Sequence, residues 1–175
     1  MSESNVPIVE RSTVDDPELL AAFEHTDVVG TPPTRKLLAM SHAPELAKGM
    51  AAYWRLTAES GTVDPAIKEL GRLTIAQLLG CAVCSSSRSA AVPVDEDDVR
   101  VCARPDFDHP DGPTRAALRY ARTLALDDGD DEARYRELAE HFTWAQIIEL
   151  ASFFCFVVGD VRMVKSFGLE AALTG

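Results

Sequence analysis

Hydrophobic positions along this chain recur mostly at spacings of three and four, the period of a helix, and rarely alternate as in a strand. Asp16-Pro17 supplies an N-cap and a proline at the first helical position, predicting a helix over Pro17 to His25. A turn with Gly30, Pro32 and Pro33 precedes a short helix from Thr34 to Ser41. Pro44 opens the next helix, through Leu46, Met50, Tyr53 and Trp54 to Ala58, and Gly61 ends it. Asp64-Pro65 repeats the cap, and Ile67, Leu70, Thr74 and Leu78 line one stripe of a helix over Ala66 to Leu79. Residues 93–113 hold four of the ten prolines and read as an acidic connection with one short helix from Glu96 to Cys102. Arg115 to Leu126 is amphipathic, with Leu118, Ala121 and Leu124 on one face, and the Asp127–Asp131 cluster closes it. Thr143-Trp144-Ala145-Gln146 is a capping box, and Phe142 and Ile147 are spaced to staple over it. The helix it starts runs through Phe156, apolar on most faces, and Gly159 predicts a break before a last helix from Val161 to Leu173. The whole pattern predicts an all-α fold, a compact bundle of about eight helices. It forms a single domain over residues 16–175 behind a flexible polar arm, residues 1–15.

Composition narrows the functional classes. The chain has 175 residues, 46% of them hydrophobic, which suffices for one sizeable core. Its 28 acidic and 17 basic side chains leave a net charge of −11, which phosphate backbones and anionic lipid repel. Neither a nucleic acid nor a membrane is therefore expected as partner. The most apolar run, Ile147 to Val158, is shorter than the roughly 20 residues that span a bilayer. Residues 1–10 lack the basic and apolar regions of a signal peptide, so a cytoplasmic location is expected. Four cysteines are too few for a disulfide scaffold. In a reducing compartment a close cysteine pair is more often catalytic or metal-binding.

Such a pair stands at Cys81 and Cys84, a CxxC following Gly80. If a helix begins there, Cys81 lies at its positive end, where unsatisfied amides favour thiolate. Two cysteines three apart on one turn can also close a disulfide with little backbone change, giving an attacking and a resolving thiol. Glu69 precedes Cys81 by twelve residues, about 18 Å of rise on an unbroken helix, so the two meet only if the chain turns back near Gly80. The bland reading of the pair is two small buried apolar residues. Zinc needs four ligands, and only Cys102, His109 and Cys155 are left to supply the rest, so neither a metal nor another cofactor is expected. Cys155, within Phe153-Phe154-Cys155-Phe156, reads as core packing. His25, His42, His109 and His141 read as helix-end residues.

The spacing Glu69-x11-Cys81-x2-Cys84 resembles the active-site pattern of the alkylhydroperoxidase D-like, or carboxymuconolactone decarboxylase-like, family. The resemblance extends from His42-Ala43-Pro44-Glu45-Leu46 through Arg115 to Arg122 and Phe142 to Leu150. It implies an alkylhydroperoxidase D-like all-α fold assembled as a homo-oligomer, a trimer or hexamer. It also implies thiol peroxidase or disulfide-reductase chemistry on a small-molecule substrate, recharged by a dithiol reductant protein. In such proteins the second cysteine, here Cys84, attacks the peroxide and becomes a sulfenic acid, and Cys81 resolves it. The glutamate, here Glu69, transfers protons together with a histidine.

That histidine's position is Arg88, and Val83 stands between the cysteines. A guanidinium, with a pKa above about 12, cannot shuttle protons near neutrality. Arg88 can instead stabilise a Cys84 thiolate, pair with Glu69, or grip a substrate carboxylate. Two alternatives stay open beside the cofactor-free thiol oxidoreductase. One is a lyase, decarboxylase or isomerase of a biosynthetic pathway, using Glu69 for proton transfer and Arg88 for substrate binding. The other is a non-catalytic oligomeric binding protein.

Overall fold

In the computed structural model, residues 4–129 and 131–170 are described, and among them are nine α-helices and no strand. They are α1 (Pro17–Val29), α2 (Thr34–Met40), α3 (Pro44–Trp54), α4 (Pro65–Leu78), α5 (Ala82–Ser86), α6 (Glu96–Val101), α7 (Gly112–Leu126), α8 (Asp131–Ala139) and α9 (Trp144–Ser166). A single 3-10 turn, Arg11–Thr13, precedes α1, and α3 continues into a π-helical turn, Arg55–Glu59. The predicted caps form as the sequence reads. Asp16 accepts from the N–H groups of Glu18 and Leu19, and Asp64 accepts from that of Ala66. Thr143 and Gln146 complete the reciprocal capping box of α9.

Helix α4 is the axis of the bundle. Every residue from Ile67 to Ala76 is buried, so all faces of these turns meet protein, with α7, α9 and α5 packed around it. Its approach to α9 is close: a Cβ on Gly71 would lie 2.3 Å from the Phe154 ring. Phe153, Phe154, Val157 and Ile147 from α9, Ala117 and Tyr120 from α7, and Trp54 from α3 fill the core. A second cluster, Leu19, Phe23, Leu37, Met40, Ala47 and Ala51, joins α1, α2 and α3.

The structure departs from the sequence reading at three points. First, α9 is one continuous helix, and Gly159 does not break it. Open space surrounds the position of a Gly159 side chain. The cost of glycine in a helix, about 1 kcal/mol, is outweighed by the burial of Val157, Val161 and Val164 just around it. Residues 171–173 of the predicted last helix lie outside the described residues. Second, α8 was not expected. Only Leu138 of it is buried, so it carries almost no apolar periodicity to read. Third, Cys155 is exposed, because the helical rotation that buries Phe153 and Phe154 turns the next position outward. Before α1, residues 4–15 lie on the bundle, with the Asn5 N–H donating to Phe167 O and Val6 and Ile8 packed on the core. Among the described residues no helix is long and apolar enough to cross a membrane.

Candidate active site

The chain reverses where the sequence requires it. Helix α4 ends in a Schellman motif: Gly80 adopts φ 64°, its N–H donates to Gln77 O, and the Cys81 N–H donates to Ala76 O. The left-handed turn favours glycine, which has no Cβ to strain. It delivers Cys81 as N-cap of α5, with the Cys84 N–H donating to Cys81 Sγ at 3.2 Å. Cys81 and Cys84 are joined by a disulfide, with Cα atoms 5.3 Å apart. Cys81 is 1% exposed and Cys84 7%, so Cys84 is the more exposed residue of the pair.

The cation at this turn is Arg72, one helical turn after Glu69. Its Nε donates to Glu69 Oε2 at 2.8 Å and its Nη2 to Glu69 Oε1 at 2.7 Å, a bidentate fork. The same guanidinium donates from Nη1 to Cys84 O and from Nη2 to Ser87 O, both at 2.8 Å. The Ser89 N–H adds a third bond to Glu69, at 3.1 Å to Oε1. Arg72 thus ties the acid on α4 to the backbone of the second cysteine. Glu69 and Arg72 are 6% and 3% exposed, and their mutual pairing makes this burial affordable.

Arg88 lies elsewhere. Its Nε and Nη2 donate to the two oxygens of Glu96, and Nη1 donates to Ser85 O and Ser87 O. The side chain is a third exposed and lines neither of the cavities at the site. The Glu96 carboxylate holds the Arg88 guanidinium above, and is itself held below, the usual range. The Arg88 backbone matters more: its carbonyl lies 2.7 Å from where a Gly30 Cβ would stand, which packs the α1–α2 turn onto this segment. No histidine replaces the missing one at either cavity. His25 pairs with Glu59, His109 with Asp98, and His42 with Pro7 O.

Two cavities border the Glu69–Arg72 pair. A small one, about 20 Å³, is lined by Cys84, Arg72, Thr31, Trp54, Asp160 and Val161 among others. A larger one, about 210 Å³, is bordered by Glu69, Lys68, Trp54, Thr31, Ala58 and Phe153 among others. Thr31 and Trp54 line both, while Glu69 lines only the larger and Arg72 only the smaller. Behind the small cavity, Lys36 and Asp160 form a buried ion pair, with the Lys36 ammonium over the Trp54 ring.

This arrangement sits on a fold already seen in solved structures. The chain superposes on the apo debrominase Bmp8 with a TM-score of 0.78 at 21% identity, over 93% of this chain and 89% of that one. A cysteine-to-alanine variant of Bmp8 bound to 2,3,4-tribromopyrrole gives a TM-score of 0.79 at 20% identity, over 95% and 90%. The two share a fold. No family model and no curated protein matches the sequence.

Sequence reasoning singled out Cys81, Cys84 and Glu69, and the structure gathers all three around the Gly80 turn. It missed Arg72, although a cation three residues after Glu69 on a helix is a legible pairing signal. Thr31, Trp54 and Asp160 carried no such signal, since they reach the site from distant parts of the chain.

Proposed function

We propose that this protein is a cofactor-free dithiol oxidoreductase that reduces a small organic substrate by two electrons. Hydroperoxides and disulfides are the first candidates. The observation that carries the reading is the Cys81–Cys84 pair at bonding distance, with Cys84 on a cavity beside the buried Arg72–Glu69 fork. Arg72 supplies the positive charge that favours a Cys84 thiolate. Glu69 holds that guanidinium and receives the thiol proton. The thiolate attacks the distal oxygen of the hydroperoxide, the O–O bond breaks, and the leaving alkoxide takes a proton to become the alcohol. Cys81, whose sulfur already accepts the Cys84 N–H, attacks the sulfenic sulfur. The disulfide closes and water leaves. A dithiol reductant protein returns the pair to the reduced state. The engagement of Arg88 by Glu96, away from both cavities, favours this reading over the lyase reading, which needs Arg88 to bind a substrate carboxylate.

The likeness to Bmp8 favours a second substrate for the same dithiol: a brominated ring, from which two thiols remove bromine as bromide and leave hydrogen on carbon. The deciding experiment treats reduced protein with one equivalent of hydroperoxide and measures its mass. Loss of two hydrogens, mapped to Cys81 and Cys84 and absent from Cys84→Ser, is the expected result. Unchanged thiols reject the reading; thiols oxidised only by a bromopyrrole, with bromide release, select the second substrate. We also propose that the protein works as a homo-oligomer, as exposed Trp144, Ile148 and Leu56 suggest.

A further inference from the structure

We infer that the larger cavity is the substrate chamber, and that it takes a neutral molecule built on one aromatic ring. The inference rests on Cys84, which lines the neighbouring small cavity, being the reacting sulfur. The cavity is continuous in its walls with the Cys84 cavity through Thr31 and Trp54.

Size sets the first limit. An apolar protein cavity of about 150 Å³ holds one benzene ring. At about 210 Å³ this cavity holds one ring with substituents and is too small for two fused rings carrying them. Its walls suit an aromatic ring, with Trp54 and Phe153 among them beside apolar Val29, Ala58, Pro65 and Val92.

Charge sets the second limit. Three ionic side chains border the cavity, and the two buried ones, Lys68 and Glu69, are already paired. Lys68 Nζ bonds Glu149, Thr57 O and Ser60 O, which uses its three donors. Glu69 is held by Arg72 and the Ser89 N–H. Glu59 accepts from His25. An anionic ligand would enter with no free cation to pair it and lose its hydration, a penalty a neutral ring does not meet.

The test is a ligand series against the reduced protein in a Trp144→Phe background, where Trp54 is the sole tryptophan and bromine quenches it on contact. Bromobenzene is expected to quench saturably and to bind at least about tenfold more tightly than 4-bromobenzoate or 1-bromonaphthalene. Ala58→Phe or Val92→Phe, each filling the cavity, should weaken bromobenzene by about tenfold or more. Saturating bromobenzene should also slow oxidation of Cys84 by hydrogen peroxide. Equal affinity for the ring, the carboxylate and the fused ring overturns the inference, and that comparison uses no cavity-filling variant. Disulfide formation by hydrogen peroxide without ring binding rejects the chamber and leaves the dithiol chemistry standing. Ring binding without disulfide formation does the reverse.

Discussion

At the scale of single residues, the site turns on which arginine pairs with Glu69 and holds the Cys84 carbonyl. Arg72 makes four hydrogen bonds in the interior, while Arg88 spends its guanidinium on Glu96 and loop carbonyls. Arg72→Met should therefore shift the pH profile of Cys84 alkylation upward, because the site loses the buried guanidinium bonded to the Cys84 carbonyl. Arg72→Lys, which keeps charge without the fork, should fall between, and Arg88→Ala should leave the profile in place. Iodoacetamide rates on reduced protein measure this, with Cys155→Ser removing the exposed background thiol. Buried Cys102, whose thiol burial pushes up, should not react in the folded state. Glu149 gives a prediction on stability. Burial pushes its carboxyl up, but Lys68 and the N–H groups of Thr62 and Val63 outweigh this and hold it below its ordinary 4.5. A carboxyl lowered in the folded state stabilises the fold above its unfolded pKa and loses that contribution as pH falls through the folded value. The Tm gap between wild type and Glu149→Gln should therefore be full at neutral pH and shrink on acidification below about 4.5.

At the scale of elements, the turn between α4 and α5 and the packing of α4 on α9 decide whether a site exists. Gly80 and the CxxC announce the turn in the sequence, and the Schellman bonds carry it out. The depth of α4 was less legible. Its stripe of Ile67, Leu70 and Thr74 predicts one buried face, yet Lys68, Glu69 and Arg72 are buried on the others. Periodicity reports where apolar residues lie, not where charged residues find partners from other helices. Gly71→Ala should cost about 1–3 kcal/mol in urea unfolding, since the added methyl meets the Phe154 ring at the tightest contact of these helices. Thr143→Ala should cost about 1 kcal/mol in the same measurement by opening the capping box of α9.

At the scale of the whole molecule, surface follows composition. Much of the exposed surface is acidic, but α9 also shows Trp144, Ile148 and Cys155 to solvent, and the α3 end shows Tyr53 and Leu56. If that face joins copies of the chain, sedimentation should give a multiple of 19.0 kDa, and Ile148→Asp should return the monomer. A monomer in wild type would end the proposal of an oligomer. The amino-acid sequence by itself determined the helical class, most helix starts and the turn at Gly80. Each is a local matter of caps, glycine conformation and spacing within one stretch of chain. Tertiary structure alone decided that Arg72 rather than Arg88 pairs with Glu69 and holds the Cys84 carbonyl, that α9 runs unbroken past Gly159, and that Thr31, Trp54 and Phe153 wall a cavity. Those outcomes depend on which distant side chains compete for the same partner or the same space, and that competition is settled only when the helices pack.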